Sequence, residues 1–393
     1  MESSFLHPDI TDAAVFRTFV QAGFECSTHR NLKGARLDLV SSTGHDRFVE
    51  QDYRRLKEFG MLTAREGLRW HLIERESGVR DFSTVLPFLH AAQEAGIQII
   101  WDLLHFGWPD HLNIFEPDWV KSFAEFAAGF AGLLRRETSD ISFVVPINEI
   151  SFFSWAGGDT AHINPFTRGR GHELKRQLVS GAIQASHALR SELERIQLVS
   201  AEPVIHIVGD PARPDDVIQA EQYRSAMFEA WDMLAGRAHP DLGGDESCLG
   251  IIGVNYYDRN QWWNYGETIW RGAPEYRPFR HILQEVYERY HRPMFVAETG
   301  TEDAARPSWF AYISEEVRAA ISAGVPVRGV CLYPILNHPG WDDDRHCYNG
   351  LWDYPDPNGS RKLFEPLARE IQTQEKLRTT QKDDVHYSIS RDA

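Results

Sequence analysis

The stretch that decides the fold is Val144-Val145-Pro146-Ile147-Asn148-Glu149. With Phe143 ahead of it, the run is apolar for most of its length, as a strand buried on both faces is. It then delivers Asn148 and Glu149, two polar groups that a core cannot bury without partners. A strand that is apolar along its length and acidic at its C-terminal tip is how a parallel α/β barrel presents a chemical group. The plain alternative is a Glu held in an ion pair at a strand end. The pattern recurs at Met294-Phe-Val-Ala-Glu-Thr-Gly300, where an apolar run ends in Glu298 before a turn-prone glycine.

Outward from these two stretches, strand-like and helix-like segments alternate. Strands are expected at 23–27, 62–73, 97–104, 143–149, 198–201, 249–254, 294–298 and 327–332, eight in all. Helices are expected at 47–60, 82–95, 117–136, 173–196, 214–235, 279–290, 307–323 and 362–377. The clearest is 117–136: Pro117 suits its first turn, and Trp119, Phe123, Phe126, Phe130 and Leu133 recur on one face. Residues 1–19 read as an extension or a short packing helix, and Phe152 to Gly158 as an aromatic, Gly-rich loop. Alternation of this kind argues for a parallel sheet. No Gly-x-Gly-x-x-Gly follows a strand, so a dinucleotide fold has no support. The expectation is an α/β fold, one (β/α)8 TIM barrel over residues 1–377 with long loops at its C-terminal face, then a polar, disordered tail at 378–393.

Composition narrows the function classes. Of the 393 residues, 42% are hydrophobic and 25% charged, as in ordinary globular proteins. The net charge of −16 argues against nucleic-acid binding, which needs a basic footprint. Met1 to Ile10 lack the basic and apolar regions of a secretory signal, and no apolar run approaches the ~20 residues of a membrane span, so a cytoplasmic protein is expected. The four cysteines show no C-x-x-C spacing and read as reduced thiols.

Polar and aromatic side chains collect where the strands end: Arg65, His105, Asn148 with Glu149, Glu202, Asn255 with Tyr257, Glu298 and Tyr333. Each alone has a structural explanation, but in a barrel all these tips meet at one face, where chemistry is done. Two carboxylates on well-separated strands are what a two-acid glycosidase needs.

On these motifs the sequence resembles glycoside hydrolase family 1, the β-glucosidase group of the clan of retaining barrel glycosidases, from about residue 20 to 355. The stretch Asp52 to Glu74, with Arg65 and Trp70, resembles the family's second β/α unit, and His105-Phe-Gly-Trp-Pro109 its histidine segment. Asn148-Glu149, Asn255-Tyr-Tyr257 and Ala297-Glu298-Thr-Gly300 resemble its acid/base strand, sixth strand and nucleophile motif. Tyr333 to Trp341 and Asn349-Gly-Leu351 resemble its last strand and following loop. The resemblance implies Glu149 as general acid/base and Glu298 as nucleophile in a double displacement on a β-linked glycoside, without a cofactor. Arg65 and Tyr257 would keep Glu298 ionised. Asn148 and His105 would bond sugar hydroxyls, with Asn255 in support, and Tyr333, Trp341 and Trp263 would line a ring-stacking surface.

The departures are equally specific. The family usually has Pro where Ile150 stands, Asn where Thr299 stands, Trp at Tyr333 and a sugar-binding Glu at Gly340, and its sugar-binding Gln of the first β/α loop has no match. A sugar other than plain glucose is therefore expected, read by the loop Asp342-Asp-Asp-Arg-His346 and His338. That loop also invites a divalent cation, although solvation or sugar recognition explains it as well, and no metal is assigned. A non-catalytic carbohydrate-binding or regulatory barrel and a transglycosylase with the same site are the competing readings. A metal-dependent isomerase or Schiff-base aldolase would need a metal cluster or a Lys at a strand tip, and no tip carries Lys.

Overall fold

The computed structural model describes residues 6–11 and 15–389, with side chains as far as residue 380. The stretch around Glu149 forms β4, Ser142–Ile147, buried at every position. It pairs in parallel with β3 (Gln98–Leu104) on one side and β5 (Ile196–Pro203) on the other. Pro146 is tolerated inside it because the ladder to β5 stops at Val144. With β1 (Val20–Gly23), β2 (Thr63–Gly67), β6 (Ile251–Asn255), β7 (Met294–Thr299) and β8 (Val327–Leu332), the sheet closes into a parallel barrel in sequence order. The expected (β/α)8 fold is the one observed.

Helices wrap the barrel because their apolar stripes need cover. Pro117–Glu137 buries Trp119, Phe123, Phe126 and Phe130 completely and packs along Gly171–Glu192. Each such aromatic removed from water contributes about 1.5–3 kcal/mol. Inside the barrel a separate apolar cluster fills the N-terminal half: Ile100, Phe143, Val145, Val199, Ala201, Ile251, Phe295 and Ala297. The N-terminal segment stoppers that end, with Phe16 at 5.4 Å from the Phe143 ring and 4.9 Å from Phe295. The expected extension thus acts as a plug; among its described residues none is helical.

Several boundaries moved for local reasons. The first strand ends at Gly23, earlier than expected, so residues 24–27 leave the ladder and Glu25 enters the C-terminal face. The second ends at Gly67, after which Trp70–Ile73 turns helical. The stretch expected as a loop at 152–158 instead forms a short helix, Ile150–Phe153, and a π-helical turn, Ser154–Asp159. The helix expected at 214–235 is broken by a 3-10 turn at Ala226–Phe228. The last helix, Glu365–Ile389, runs past its expected end at 377, since residues 370–389 contain no Gly or Pro and many good helix formers; residues 390–393 of the expected tail lie outside the described residues. No helix among the described residues is long and apolar enough to cross a membrane.

Candidate active site

Arg65 organises the C-terminal end of the barrel. It points inward from β2 and is fully buried, so each guanidinium N–H needs an acceptor. Nε and Nη2 donate to the two oxygens of Asp102 at 2.9 and 2.8 Å, and Nη2 also donates to Asn148 Oδ1 at 2.6 Å. Nη1 donates to Glu298 Oε1 at 2.8 Å and to the Ala297 carbonyl at 3.2 Å. One cation thereby ties together the tips of β2, β3, β4 and β7.

Glu298 reaches the cavity through an irregularity in β7. Val254 pairs with Val296 and Asn255 with Glu298, so β7 carries one residue more than β6 across this interval. The same surplus shows against β8, and such a β-bulge re-aims the side chain that follows it. Tyr257 completes the carboxylate's surroundings by donating to Oε2 at 2.8 Å.

Glu149 is placed differently. Its backbone is left-handed, φ 47° and ψ 58°, where a side chain is strained. Its N–H donates to the Ala201 carbonyl of β5 at 2.9 Å. Its Oε1 accepts from Asn255 Nδ2 at 2.9 Å. Ile150, standing where the resembled family usually has Pro, brings an N–H, and the buried Glu202 accepts it.

The two carboxyls sit in different electrostatic settings. Burial, then the nearby charge of Glu298, pushes Glu149 up to about 8. Burial also raises Glu298, but the Arg65 charge and the Tyr257 hydroxyl favour its ionised form. Glu149 is therefore the member that keeps a proton near neutrality.

His105, Glu149, Tyr257, Glu298 and Trp341 line one cavity of about 800 Å³. Arg65, Asn148, Asn255 and Tyr333 lie beneath it and do not form its wall. Asn148 receives Arg65 on its oxygen and donates to His105 Nε2 at 3.2 Å, so both its ends are already engaged by protein. The other His105 nitrogen lies 3.0 Å from Asp102 Oδ2 and 3.3 Å from Cys26 Sγ. Tyr333 is 1% exposed, stacks on His105 at 6.0 Å and lies over the Arg65 guanidinium at 5.5 Å. It supports the site from below and offers no face for ring stacking. In the strand Gln261–Trp263 alternate side chains point to opposite faces, and Trp262, not Trp263, faces the cavity.

Sequence reasoning missed Glu25 and Asp102. Glu25 lines the cavity, anchored through Oε1 by the Ser27 N–H at 3.0 Å and by the Ser27 hydroxyl. A strand ending at Gly23 would have marked it as a tip residue. Asp102 had a usable signal: a carboxylate inside Ile-Ile-Trp-Asp-Leu-Leu demands a buried cation.

No family model matches the sequence. A curated relative, β-glucosidase 1B of Phanerodontia chrysosporium, is 23% identical over 398 residues, spanning 80% of this chain and 73% of that protein. The family 1 β-glucosidase of Thermotoga maritima superposes with a TM-score of 0.73 at 14% identity, covering 90% of this chain and 96% of that one. The chain's fold is like that of family 1 β-glucosidases. A β-glycosidase of Pyrococcus horikoshii gives a TM-score of 0.70 at 18% identity, over 84% of this chain and 85% of that one.

Within this family 1-like barrel the departures have structural causes. A Cβ on Gly340 would fall 2.1 Å from Asp343 Oδ1, so the loop itself occupies the space of a side chain. The loop expected to read the sugar does not face the cavity, apart from Trp341. Asp342 Oδ1 accepts from the Leu32 N–H at 3.1 Å, Arg345 forks onto Glu302 with both contacts at 2.6 Å, and His346 lies 2.8 Å from Asp353. These groups satisfy one another and the backbone instead of a ligand. His338 is likewise held, with one ring nitrogen on the Pro339 carbonyl at 2.8 Å and the other on Asn349 at 2.9 Å. Thr299 accepts the Trp309 indole N–H at 2.9 Å.

Proposed function

We propose that the chain is a glycoside hydrolase that cleaves β-linked glycosides with retention, Glu298 acting as nucleophile and Glu149 as general acid/base. The observation that carries this reading is the unequal pair: two buried carboxyls in one cavity, one held by a guanidinium and a phenol, the other left with its proton.

In the first step Glu298 attacks the anomeric carbon while the bond to the leaving oxygen breaks. That oxygen takes the Glu149 proton, and a glycosyl ester on Glu298 results. In the second step Glu149 takes a proton from water, the water oxygen bonds to the anomeric carbon, and the ester bond breaks. Both carboxyls return to their starting states. The glycone is held against Glu25, His105 and Trp341, and the outer wall of Phe152, Trp155, Ile205, Tyr223, Met227 and Trp262 supports an apolar or aromatic aglycone.

The test is a panel of aryl β-glycosides, with proton NMR of the anomer released first. Hydrolysis with the β-anomer appearing first is expected. Mass spectrometry after a 2-fluoro glycoside of the best sugar should then find the label on Glu298. Release of the α-anomer, or no hydrolysis of any glycoside, overturns the reading.

A further inference from the structure

Glu202 stands at the tip of β5, is fully buried and lines no part of the cavity, so it does not touch a substrate. Its two oxygens nonetheless both act on the residues that follow Glu149. Oε1 accepts from the Ile150 N–H at 2.6 Å and Oε2 from the Ser151 N–H at 2.9 Å. These are first-turn donors of the helix Ile150–Phe153, which have no acceptor inside the helix. The residue before Glu202 closes the other side: the Ala201 carbonyl takes the Glu149 N–H at 2.9 Å. The β5 tip therefore grips the chain at three consecutive amides, of residues 149, 150 and 151.

What it grips is strained. Glu149 is a non-glycine residue at φ 47° and ψ 58°. Such a conformation persists only where the surroundings over-determine it, and it decides where the carboxyl points. From this clamp we propose that Glu202 is a positioning residue for Glu149: it holds the left-handed turn that aims the Glu149 carboxyl at the leaving-group oxygen. This rests on the hydrolase reading above. Burial raises Glu202 itself to about 7, and once ionised its charge also favours the protonated form of Glu149, the form that donates.

A Gln at 202 keeps the size but presents one acceptor and one N–H₂ to two backbone donors, so the clamp opens on one side. The full-length wild type and Glu202→Gln are compared for kcat/KM on aryl and alkyl β-glycosides of one sugar, whose leaving groups range from dinitrophenol to an alcohol. Dinitrophenol leaves without a proton; an alcohol does not. The expected result is little change with dinitrophenyl and a loss of about 10–100-fold with phenyl and alkyl glycosides, part of the 10²–10⁴ that general acid catalysis supplies. The dependence on leaving-group pKa should steepen.

A role in stability alone would lower every substrate by the same factor, and a uniform loss or no loss overturns the proposal. Circular dichroism and Tm show whether Glu202→Gln folds; if it does not, Glu202→Asp, which keeps the charge but shortens the reach, takes its place under the same criterion. If the wild type hydrolyses glycosides with retention and the variant keeps the wild-type dependence, only the role of Glu202 fails. A wild type inactive on every glycoside overturns both.

Discussion

Arg65 Nη1 donates to Glu298 Oε1 at 2.8 Å while the rest of the same guanidinium holds Asp102 and Asn148, and of the four only Glu298 reaches the cavity. Removing one partner of a buried ion pair leaves the other charge uncompensated. Arg65→Met strands both Asp102 and Glu298, and a loss of about 3–5 kcal/mol in urea unfolding is expected. Without the guanidinium Glu298 also takes a proton more readily. The acidic limb of kcat/KM should therefore move to higher pH. An unmoved limb would separate Arg65 from the state of Glu298.

Glu298→Gln should reduce kcat by about 10⁴-fold or more on the best aryl glycoside, because an amide cannot attack the anomeric carbon. Circular dichroism should match the wild type, since Arg65 keeps its bidentate hold on Asp102. Wild-type turnover in this variant would place the nucleophile elsewhere.

The Glu149 proton sets the alkaline side of the activity. Glu149 must be protonated to donate, and burial with the Glu298 charge raises its pKa to about 8. The value of kcat/KM should fall as pH rises through about 8. Glu149→Gln should remove that limb and should be least harmful on dinitrophenyl glycosides. Retention of the limb in the variant would assign it to another group.

Glu25 puts a third carboxylate in the cavity beside Glu149 and Glu298, while Arg345 of the acidic loop is spent on Glu302. An acidic sugar would meet like charge there. A β-glucuronide should be turned over poorly relative to neutral β-glycosides, and Glu25→Gln should narrow the gap by roughly 10-fold, about 1.4 kcal/mol. A glucuronide that leads the wild-type panel would contradict this account of Glu25.

His45 gives the fold a pH dependence of its own. It is buried, with Nδ1 2.8 Å from Asp52 and Nε2 2.9 Å from Glu66. Burial lowers its pKa, but the two carboxylates outweigh burial and bring it up to about 9. The folded value lies above the ordinary 6.5, so the stabilisation is full below pH 6.5 and is lost as pH rises through about 9. The loss amounts to about 3 kcal/mol. Urea unfolding at a series of pH values should show this decline, and His45→Gln should abolish it.

The order of strands and helices was legible in the sequence because burial on both faces leaves a local mark. Phe143 to Ile147 and Met294 to Ala297 are apolar without interruption, and only a parallel sheet covered by helices hides such runs. The two carboxylates were legible for the converse reason, being charges where an apolar run stops. Tertiary structure alone decided how they are used. The bulge in β7 that turns Glu298 inward is a mismatch between strands, and no single strand records it. The left-handed turn at Glu149 depends on acceptors from β5, among them Glu202, 52 positions beyond the Ile150 amide it holds. The loop at 342–346 looked like a sugar reader because its residues are polar, but Asp342 and Arg345 close on Leu32 and Glu302, distant in the chain, and His346 on nearby Asp353, while Glu25 enters the cavity only because β1 stops at Gly23. Burial pattern is a property of neighbours along the chain, whereas the partner of a polar group is a property of the closed barrel.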